Sequence, residues 1–187
     1  TGGKTTFKGA AYAQSVTTDA VGTLAIDGGL VDTTLDQSYG ERAVLGADTT
    51  LTGNSVRLSQ GADAATAGAQ SLTVNGYAFI GGAIGANAAL ASLALNDDAR
   101  LSGGTIKTTG DQVYGGDVTL EDDHTLSTTT GNVTFAAKLG GMHGPAGFAG
   151  YCTLRQVDIQ QCLLGRMLNK VCKVFAEYSL WNFFEAG

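Results

Sequence analysis

The feature that most constrains this chain is an internal repeat. Residues 26–51 recur 75 positions later as residues 101–126, and the alignment holds without a gap. Within it, IDGGLVDTT at 26–34 matches LSGGTIKTT at 101–109, and Tyr39 falls on Tyr114. A repeat rich in Gly, Thr, Ala, Asp and Val is typical of stacked β-architectures, in which each unit buries its apolar side against its neighbours.

Short segments of alternating apolar and small polar residues run through residues 1–138. GTLAI at 22–26 and DVTL at 117–120 are examples, and this alternation predicts β-strands. Turn-forming pairs such as Asn75-Gly76 and Gly103-Gly104 separate the segments. This regular succession of short strands and turns favours an all-β, right-handed parallel β-solenoid with coils of about 20–25 residues. One repeat unit would then supply about three coils.

Two tandem immunoglobulin-like sandwiches would also give short strands and frequent turns. A sandwich core is usually built around large side chains, often a buried Trp. Only 7% of this chain is aromatic, and the alternating apolar positions are mainly Val, Leu, Ile and Ala. These small side chains suit the narrow interior of a coil, so we favour the solenoid over the sandwich.

Charge is distributed unevenly along the chain. The net charge is −6, and residues 1–138 carry 7 basic and 14 acidic side chains. Binding to phosphates needs clustered Lys and Arg, which this acidic region lacks. We therefore expect no nucleic-acid partner. Thr1 is followed by no apolar leader sequence, so we expect the chain to begin after processing or within a longer protein.

The three cysteines, Cys152, Cys162 and Cys172, all lie in the last quarter of the chain. An odd number cannot form a complete set of internal disulfides, and ten-residue spacings do not match zinc ligands, which normally lie two to four residues apart. We predict no metal site and no cofactor.

Two glycine-rich segments resemble nucleotide-binding motifs only superficially. GGKTT at 2–6 lacks the preceding strand and first glycine of a phosphate-binding loop, and GGAIG at 81–85 has no surrounding α/β unit. Neither predicts a nucleotide site.

The densest polar cluster is Glu121-Asp122-Asp123-His124. Carboxylates gathered in this way could bind calcium or act on glycosidic bonds. Its repeat-mate, residues 46–49, shares only one of these acids, at Asp48. We favour solvated turn acids that keep strand edges from pairing with other chains. Tyr39 and Tyr114 we interpret as packing residues at coil corners, and we predict no catalytic residues.

The amino-acid sequence of the repeats is similar to that of a known class of proteins. LGADTTLTG at 45–53, QSLTVNG at 70–76, GGAIG at 81–85 with ALASL at 89–93, and TGDQVY at 109–114 resemble the β-strand repeats of large bacterial secreted adhesins. Those adhesins are the filamentous-haemagglutinin-like and autotransporter passenger proteins. The resemblance covers about residues 5–138 and includes no catalytic motif.

This resemblance implies an extracellular or cell-surface β-helical stalk with an adhesive or biofilm-forming role. We expect a non-enzymatic structural module whose partners are surface glycans or proteins of a host or matrix. One alternative is an enzyme on the same scaffold that acts on polysaccharides, and another is the subunit of a self-assembling fibre.

The composition changes abruptly near residue 140, where glycine and threonine thin out and the only Pro and Trp appear. We divide the chain into a repeat region at 1–138, a linker at 139–155 and a helical segment at 156–187. Apolar residues at helical spacing from 156 to 180 predict an amphipathic helix. Charges at Arg166, Lys170 and Lys173 argue against a membrane span.

Several roles are open to this predicted helix. An open solenoid end exposes apolar interior and unpaired strand edges, so a helical cap is the role we favour. The alternatives are self-association, binding to a membrane surface, and an extension foreign to the repeat protein.

Overall fold

The structure is a computed structural model that describes residues 2–141 and 171–174. Within these residues the chain is all-β and has no helix. It winds into about seven coils, and almost every strand pairs in parallel with the strand one coil before or after it. The predicted parallel β-solenoid is therefore confirmed, and the sandwich alternative is wrong. The right-handed winding stays a prediction.

Each coil has three sides, which we call faces 1, 2 and 3 in chain order. Coils 1 and 2 consist of β1 (Gly3–Phe7), β2 (Ala11–Ala13) and β3 (Val16–Thr17), then β4 (Gly22–Ile26), β5 (Leu30–Thr33) and β6 (Gln37–Tyr39). In coils 3 and 4 one long strand forms faces 2 and 3, giving β7 (Ala43–Leu45), β8 (Thr49–Leu58), β9 (Ala62–Ala64) and β10 (Leu72–Ile80).

In coil 5, face 1 is reduced to single bridges from Ile84 to Ala62 and Ile106. The remaining strands of coils 5 to 7 are β11 (Leu93–Leu95), β12 (Ala99–Leu101), β13 (Thr105–Thr108), β14 (Gln112–Tyr114), β15 (Val118–Leu120), β16 (His124–Thr128), β17 (Val133–Phe135) and β18 (Leu139–Gly141).

The core consists of apolar columns that receive one side chain from each coil. The column on face 2 is formed, from coil 2 to coil 7, by Val31, Leu51, Val74, Leu95, Tyr114 and Phe135. All six side chains are buried, and the rings of Tyr114 and Phe135 stack with centroids 4.7 Å apart. Because side chains alternate along a strand, the intervening residues point outward.

The 75-residue repeat is not a whole number of coils. β5 lies on face 2 of coil 2, whereas its repeat-mate β13 lies on face 1 of coil 6. One unit therefore extends over three coils and two further faces, and the second unit is rotated by one face. The same repeat sequence therefore forms one face of a coil in the first unit and a different face in the second unit. The expectation of about three coils per unit is too low.

The repeat preserves a buried polar corner. The side-chain amide of Gln37 donates to the carbonyl oxygens of Val31 (3.0 Å) and Thr52 (2.8 Å), and it lies 3.2 Å from Thr33 Oγ1. The Tyr39 hydroxyl donates to Gln37 Oε1 at 2.8 Å. One glutamine thus ties together two faces of coil 2 and the strand of coil 3.

The same corner recurs in coil 6 with every partner 75 positions later. Gln112 donates to the carbonyls of Ile106 (3.4 Å) and Ser127 (2.9 Å) and lies 3.3 Å from Thr108 Oγ1. Its Oε1 accepts from the Tyr114 hydroxyl at 3.1 Å. Tyr39 and Tyr114 are both fully buried, so the prediction that they are packing residues is confirmed.

The C-terminal segment differs from the prediction where it is described. Val171–Val174 forms β19, which pairs antiparallel with β16 in the last coil. For these four residues the helix prediction is wrong, because an open strand edge offers backbone partners and valine favours strands. Cys172 lies in β19. The rest of the predicted helix, which includes Cys162, lies outside the described residues, and so does Cys152 of the predicted linker.

We expect Gln37→Ala to lower the free energy of unfolding by about 3 kcal/mol, because it leaves the buried Tyr39 hydroxyl and two carbonyls without their partner. Urea denaturation followed by circular dichroism measures the change. Ser38→Ala, on the outward side of the same strand, should shift it by less than about 0.5 kcal/mol. Equal stability of Gln37→Ala and the parent chain would contradict the role given to this corner.

Burial raises the pKa of Tyr39 and Tyr114 above the ordinary value of about 10. The folded state favours the neutral hydroxyls, so their contribution to stability is complete below about pH 10 and falls as the pH rises further. We expect the melting temperature to drop steeply between about pH 10 and 12, and less steeply in Tyr39→Phe/Tyr114→Phe. Tyr12→Phe, at an exposed position, should leave the slope unchanged.

Candidate ligand surface

An outward column on face 3 carries hydroxyl, aromatic and charged side chains. Ser38, Arg57, Phe79, Arg100 and Thr119 are aligned in the strands of coils 2 to 6. They alternate with buried core residues and therefore point to solvent. The parallel register thus places an aromatic ring between two arginines from the coils on either side.

Two aromatic side chains and two arginines form a continuous cluster, which we call the aromatic patch: Arg57, Tyr77, Phe79 and Arg100. The Arg57 guanidinium lies over the Phe79 ring, 4.8 Å from its centroid. The rings of Tyr77 and Phe79 lie 4.6 Å apart and are tilted by 53°. Both rings are half-buried and both arginines are exposed, so the patch is supported from below and open above.

The two arginines have different partners. Arg100 forms an ion pair with Glu121 of the next coil. Its hydrogen bond to the Glu121 carboxylate raises the pKa of the Arg100 guanidinium. Within residues 2–141, Arg57 has no carboxylate partner and rests on the Phe79 ring. A guanidinium held over a ring keeps its N–H groups free at the edge, so Arg57 can still donate to a ligand.

A shallow depression of about 380 Å³ lies beside Tyr77 and is lined by Asn54, Gly76, Asp97 and Asp98. Asp97 Oδ2 accepts from the Gly76 N–H at 2.7 Å, and Asp98 Oδ1 accepts from the Asp117 N–H at 2.8 Å. Each carboxylate keeps a second oxygen as a further acceptor. The patch and the depression together present ring faces, donors and acceptors on one side of the stack.

The turn acids hold neighbouring coils together. Asp48, Asp111 and Asp117 each accept a hydrogen bond from a backbone N–H one coil further on, at 2.8, 2.8 and 3.0 Å respectively. These bonds supply partners for turn amides that the strand ladders do not reach. All three acids are exposed, and each connects its own coil to the next one.

The cluster at residues 121–124 does not converge on one point. Glu121 turns toward Arg100, whereas His124 is buried and donates from Nδ1 to the Asp122 carbonyl at 2.6 Å. Within the residues that the structure describes, no group of three or more His, Cys, Asp or Glu side chains could hold a metal ion. The predictions of no metal and no cofactor stay predictions.

Asp63 is the charged residue most enclosed by hydrogen bonds. It is buried and pairs with Arg42 at 3.2 Å. Its other contacts reach across to coil 5, where its carboxylate accepts from the backbone N–H (3.1 Å) and the side-chain amide (2.7 Å) of Asn87. Arg42 also donates to the Ala83 carbonyl at 2.9 Å. This ion pair organises the irregular part of coil 5, where face 1 has only single bridges.

The glycine-rich segments do not form nucleotide sites among the described residues. Lys4 lies in β1, on the exposed edge of coil 1, and residues 81–85 form a corner between faces 3 and 1. Neither segment leads into a helix. Within the described residues no helix is long and apolar enough to cross a membrane.

Sequence reasoning missed the aromatic patch, because its members are separated by about 20 residues and meet only through the coil register. The pairing of Tyr77 with Phe79, two positions apart in a strand, was the one local signal. We found no family model, curated protein or solved structure that matches this chain.

We expect Asp63→Ala to destabilise the chain by about 3 kcal/mol, because it leaves the Asn87 side chain without its acceptor and the Arg42 guanidinium without its carboxylate. Hydrogen exchange should show faster opening of residues 83–90 than of coil 2, which shares no contact with Asp63. Asp48→Ala, at an exposed turn acid, is the control and should cost less than half as much. Unchanged exchange at residues 83–90 would contradict this account of coil 5.

Proposed function

We propose that this chain is a non-enzymatic structural and adhesive module, a rigid spacer that carries a contact surface on face 3. The observation that carries the proposal is the aromatic patch, where Tyr77, Phe79 and Arg57 face solvent on a fixed parallel ladder. We also propose a right-handed winding, since parallel crossover connections are right-handed in about 98% of cases.

Rigidity follows from the way the coils are connected. Neighbouring strands lie about 4.8 Å apart, so seven coils make a stack of roughly 30 Å with hydrogen bonds along its length. Asn75 and Asn96 add a side-chain bond of 2.7 Å between coils, and Ser71 and Ser92 add one of 2.9 Å. Such a stack suits a spacer that holds a surface away from its point of attachment.

We propose carbohydrate as the ligand of the patch. A sugar ring has an apolar C–H face and a rim of hydroxyl groups, so it needs an aromatic surface with polar groups at the edge. Tyr77 and Phe79 supply the surface, and Arg57, Asn54 and the free oxygens of Asp97 and Asp98 supply the edge. Parallel coils also repeat the supporting backbone at a constant spacing, which suits a polymer of regular repeat.

The setting we propose is outside the cell, on a bacterial surface or in a secreted protein that meets host or matrix surfaces. The resemblance of the repeats at 45–53 and 70–76 to those of secreted adhesins supports this setting. A scaffold with many exposed turn acids and parallel strand pairing from coil to coil also fits a molecule that has to persist as an extended rod.

Polysaccharide cleavage is the alternative on the same scaffold. Glycoside hydrolysis needs one carboxyl group as acid and another as base or nucleophile. The two acids that line the depression, Asp97 and Asp98, each accept a hydrogen bond from a backbone amide and support the turns. We therefore favour binding over cleavage. The fibre-subunit alternative depended on the C-terminal helix, most of which lies outside the described residues.

Binding to a glycan array tests the proposal. We expect the chain to retain at least one class of glycan, and Tyr77→Ala or Phe79→Ala to weaken retention about five- to tenfold, since a stacked aromatic contributes roughly 1–1.5 kcal/mol.

Tyr12→Ala is the matched control, because Tyr12 is an aromatic residue 72% exposed on coil 1, away from the patch. Reducing-end analysis of the retained glycans detects cleavage. Retention that falls as far in Tyr12→Ala as in Tyr77→Ala, or no retention of any glycan, would exclude the patch as a carbohydrate site. Release of new reducing ends would favour the enzyme.

A further inference from the structure

The aromatic patch carries one positive charge that the scaffold leaves unpaired. Arg100 is paired with Glu121, whereas Arg57 has no carboxylate within ion-pair distance among the described residues. The Arg57 side chain is exposed, and its guanidinium lies 4.8 Å from the centroid of the Phe79 ring. A guanidinium held in this way loses little freedom when it binds, and its N–H groups remain available to a ligand of opposite charge.

A β-bulge forms the depression beside Tyr77. In the register between β8 and β10, Gly53 and Asn54 lie opposite the single residue Gly76. Gly76 has a φ of +124°, and a Cβ at this position would collide with the Gly53 carbonyl oxygen, so the site requires glycine. Because Gly76 has no side chain, the depression stays open next to the Tyr77 ring. The bulge therefore gives a sugar room to lie against this ring.

The two sides of the depression differ in charge along the axis of the stack. Arg57 belongs to coil 3, whereas Asp97 and Asp98 belong to coil 5, on the other side of Tyr77. Each aspartate uses one oxygen for a backbone N–H and keeps the other as an acceptor. Arg57 offers only hydrogen-bond donors and the two carboxylates only acceptors. A bound sugar is therefore oriented, with an acidic group toward coil 3 and its hydroxyl donors toward coil 5.

We propose that the aromatic patch selects glycans that contain uronic acids and that Arg57 selects them through their carboxylates; this selectivity rests on the carbohydrate function proposed above. An equatorial carboxylate lies close to the mean plane of a sugar ring. A ring stacked on Tyr77 therefore projects its carboxylate sideways, toward the edge of the patch where Arg57 lies. A planar carboxylate accepts two parallel N–H bonds from one guanidinium, which a single hydroxyl group cannot do.

The overall charge of the chain makes this selectivity easy to detect. With a net charge of −6, the molecule repels a polyanion except where a cation is exposed. Asp97 and Asp98 add to this repulsion on the coil 5 side of the depression. Non-specific attraction would therefore not imitate the binding of an acidic glycan, and such binding has to depend on Arg57.

Carboxyl reduction of a polymer tests the selectivity, because it replaces each carboxylate with a hydroxymethyl group and keeps the sugar backbone. The probes are polygalacturonate, alginate and hyaluronan, each immobilised beside its carboxyl-reduced form. We expect the unmodified chain to bind at least one native polymer about fivefold more tightly than its reduced form. Added salt should narrow this difference, since the ion pair is exposed. Equal binding of the native and reduced forms of all three polymers would overturn the proposal.

Substitutions at Arg57 test the residue. We expect Arg57→Gln to bind the native polymer only as tightly as the reduced one, and Arg57→Lys, which keeps the charge without the planar fork, to be intermediate. Lys107→Gln is the matched control, because Lys107 is exposed on face 1 and its loss changes the net charge equally. All three variants should keep the melting temperature of the parent chain. A loss of binding in Lys107→Gln as large as that in Arg57→Gln would contradict the role of Arg57.

Tyr77→Ala separates failure of this selectivity from failure of the carbohydrate function. Retention of neutral glycans that depends on Tyr77, with no preference for carboxylates, would overturn the selectivity and leave the carbohydrate function standing. A preference for native polymers that Tyr77→Ala leaves undiminished would overturn both, because the charge would then act without the aromatic surface. Retention of no glycan would also overturn both.

Discussion

The parallel register between successive coils is the constraint on which the rest of this structure depends. Each strand is hydrogen-bonded to the strand one coil away, so every inward or outward position lies above its counterpart from the previous coil. Inward positions thereby become apolar columns, and outward positions become rows of surface side chains. The core column through Leu51 and Val74 and the patch around Phe79 are two results of the same geometry.

Most of the buried polar side chains that the structure describes are matched by hydrogen-bond partners. Gln37 and Gln112 satisfy carbonyls, a threonine and a tyrosine at once, and their bonds close a corner that apolar side chains could not. Asp63 is matched by Arg42 and Asn87. Two buried side-chain atoms among the described residues have no partner, Glu41 Oε2 and His124 Nε2.

Much of the scaffold could be predicted from local sequence, because alternation and turn pairs act over a few residues. The strands around Leu24, Leu72 and Val118 follow that alternation. The inward placement of Glu41 could not be predicted, since nothing in Gly40-Glu41-Arg42 distinguishes a buried acid from a turn acid. Contacts between coils, including those of Arg57 with Phe79, depend on coil lengths that vary from corner to corner. The strand at Val171–Val174 depends on the edge offered by β16.

The offset between repeat unit and coil has a geometric consequence for a longer array of the same units. Adding one 75-residue unit turns whatever follows by a third of a revolution, so a motif carried by every unit would appear on a different side each time and return to its starting side only at the fourth unit. Such motifs would trace a screw around the rod, and surfaces approaching from any direction would meet one of them. A rod built from whole-coil repeats would instead display them all along a single line.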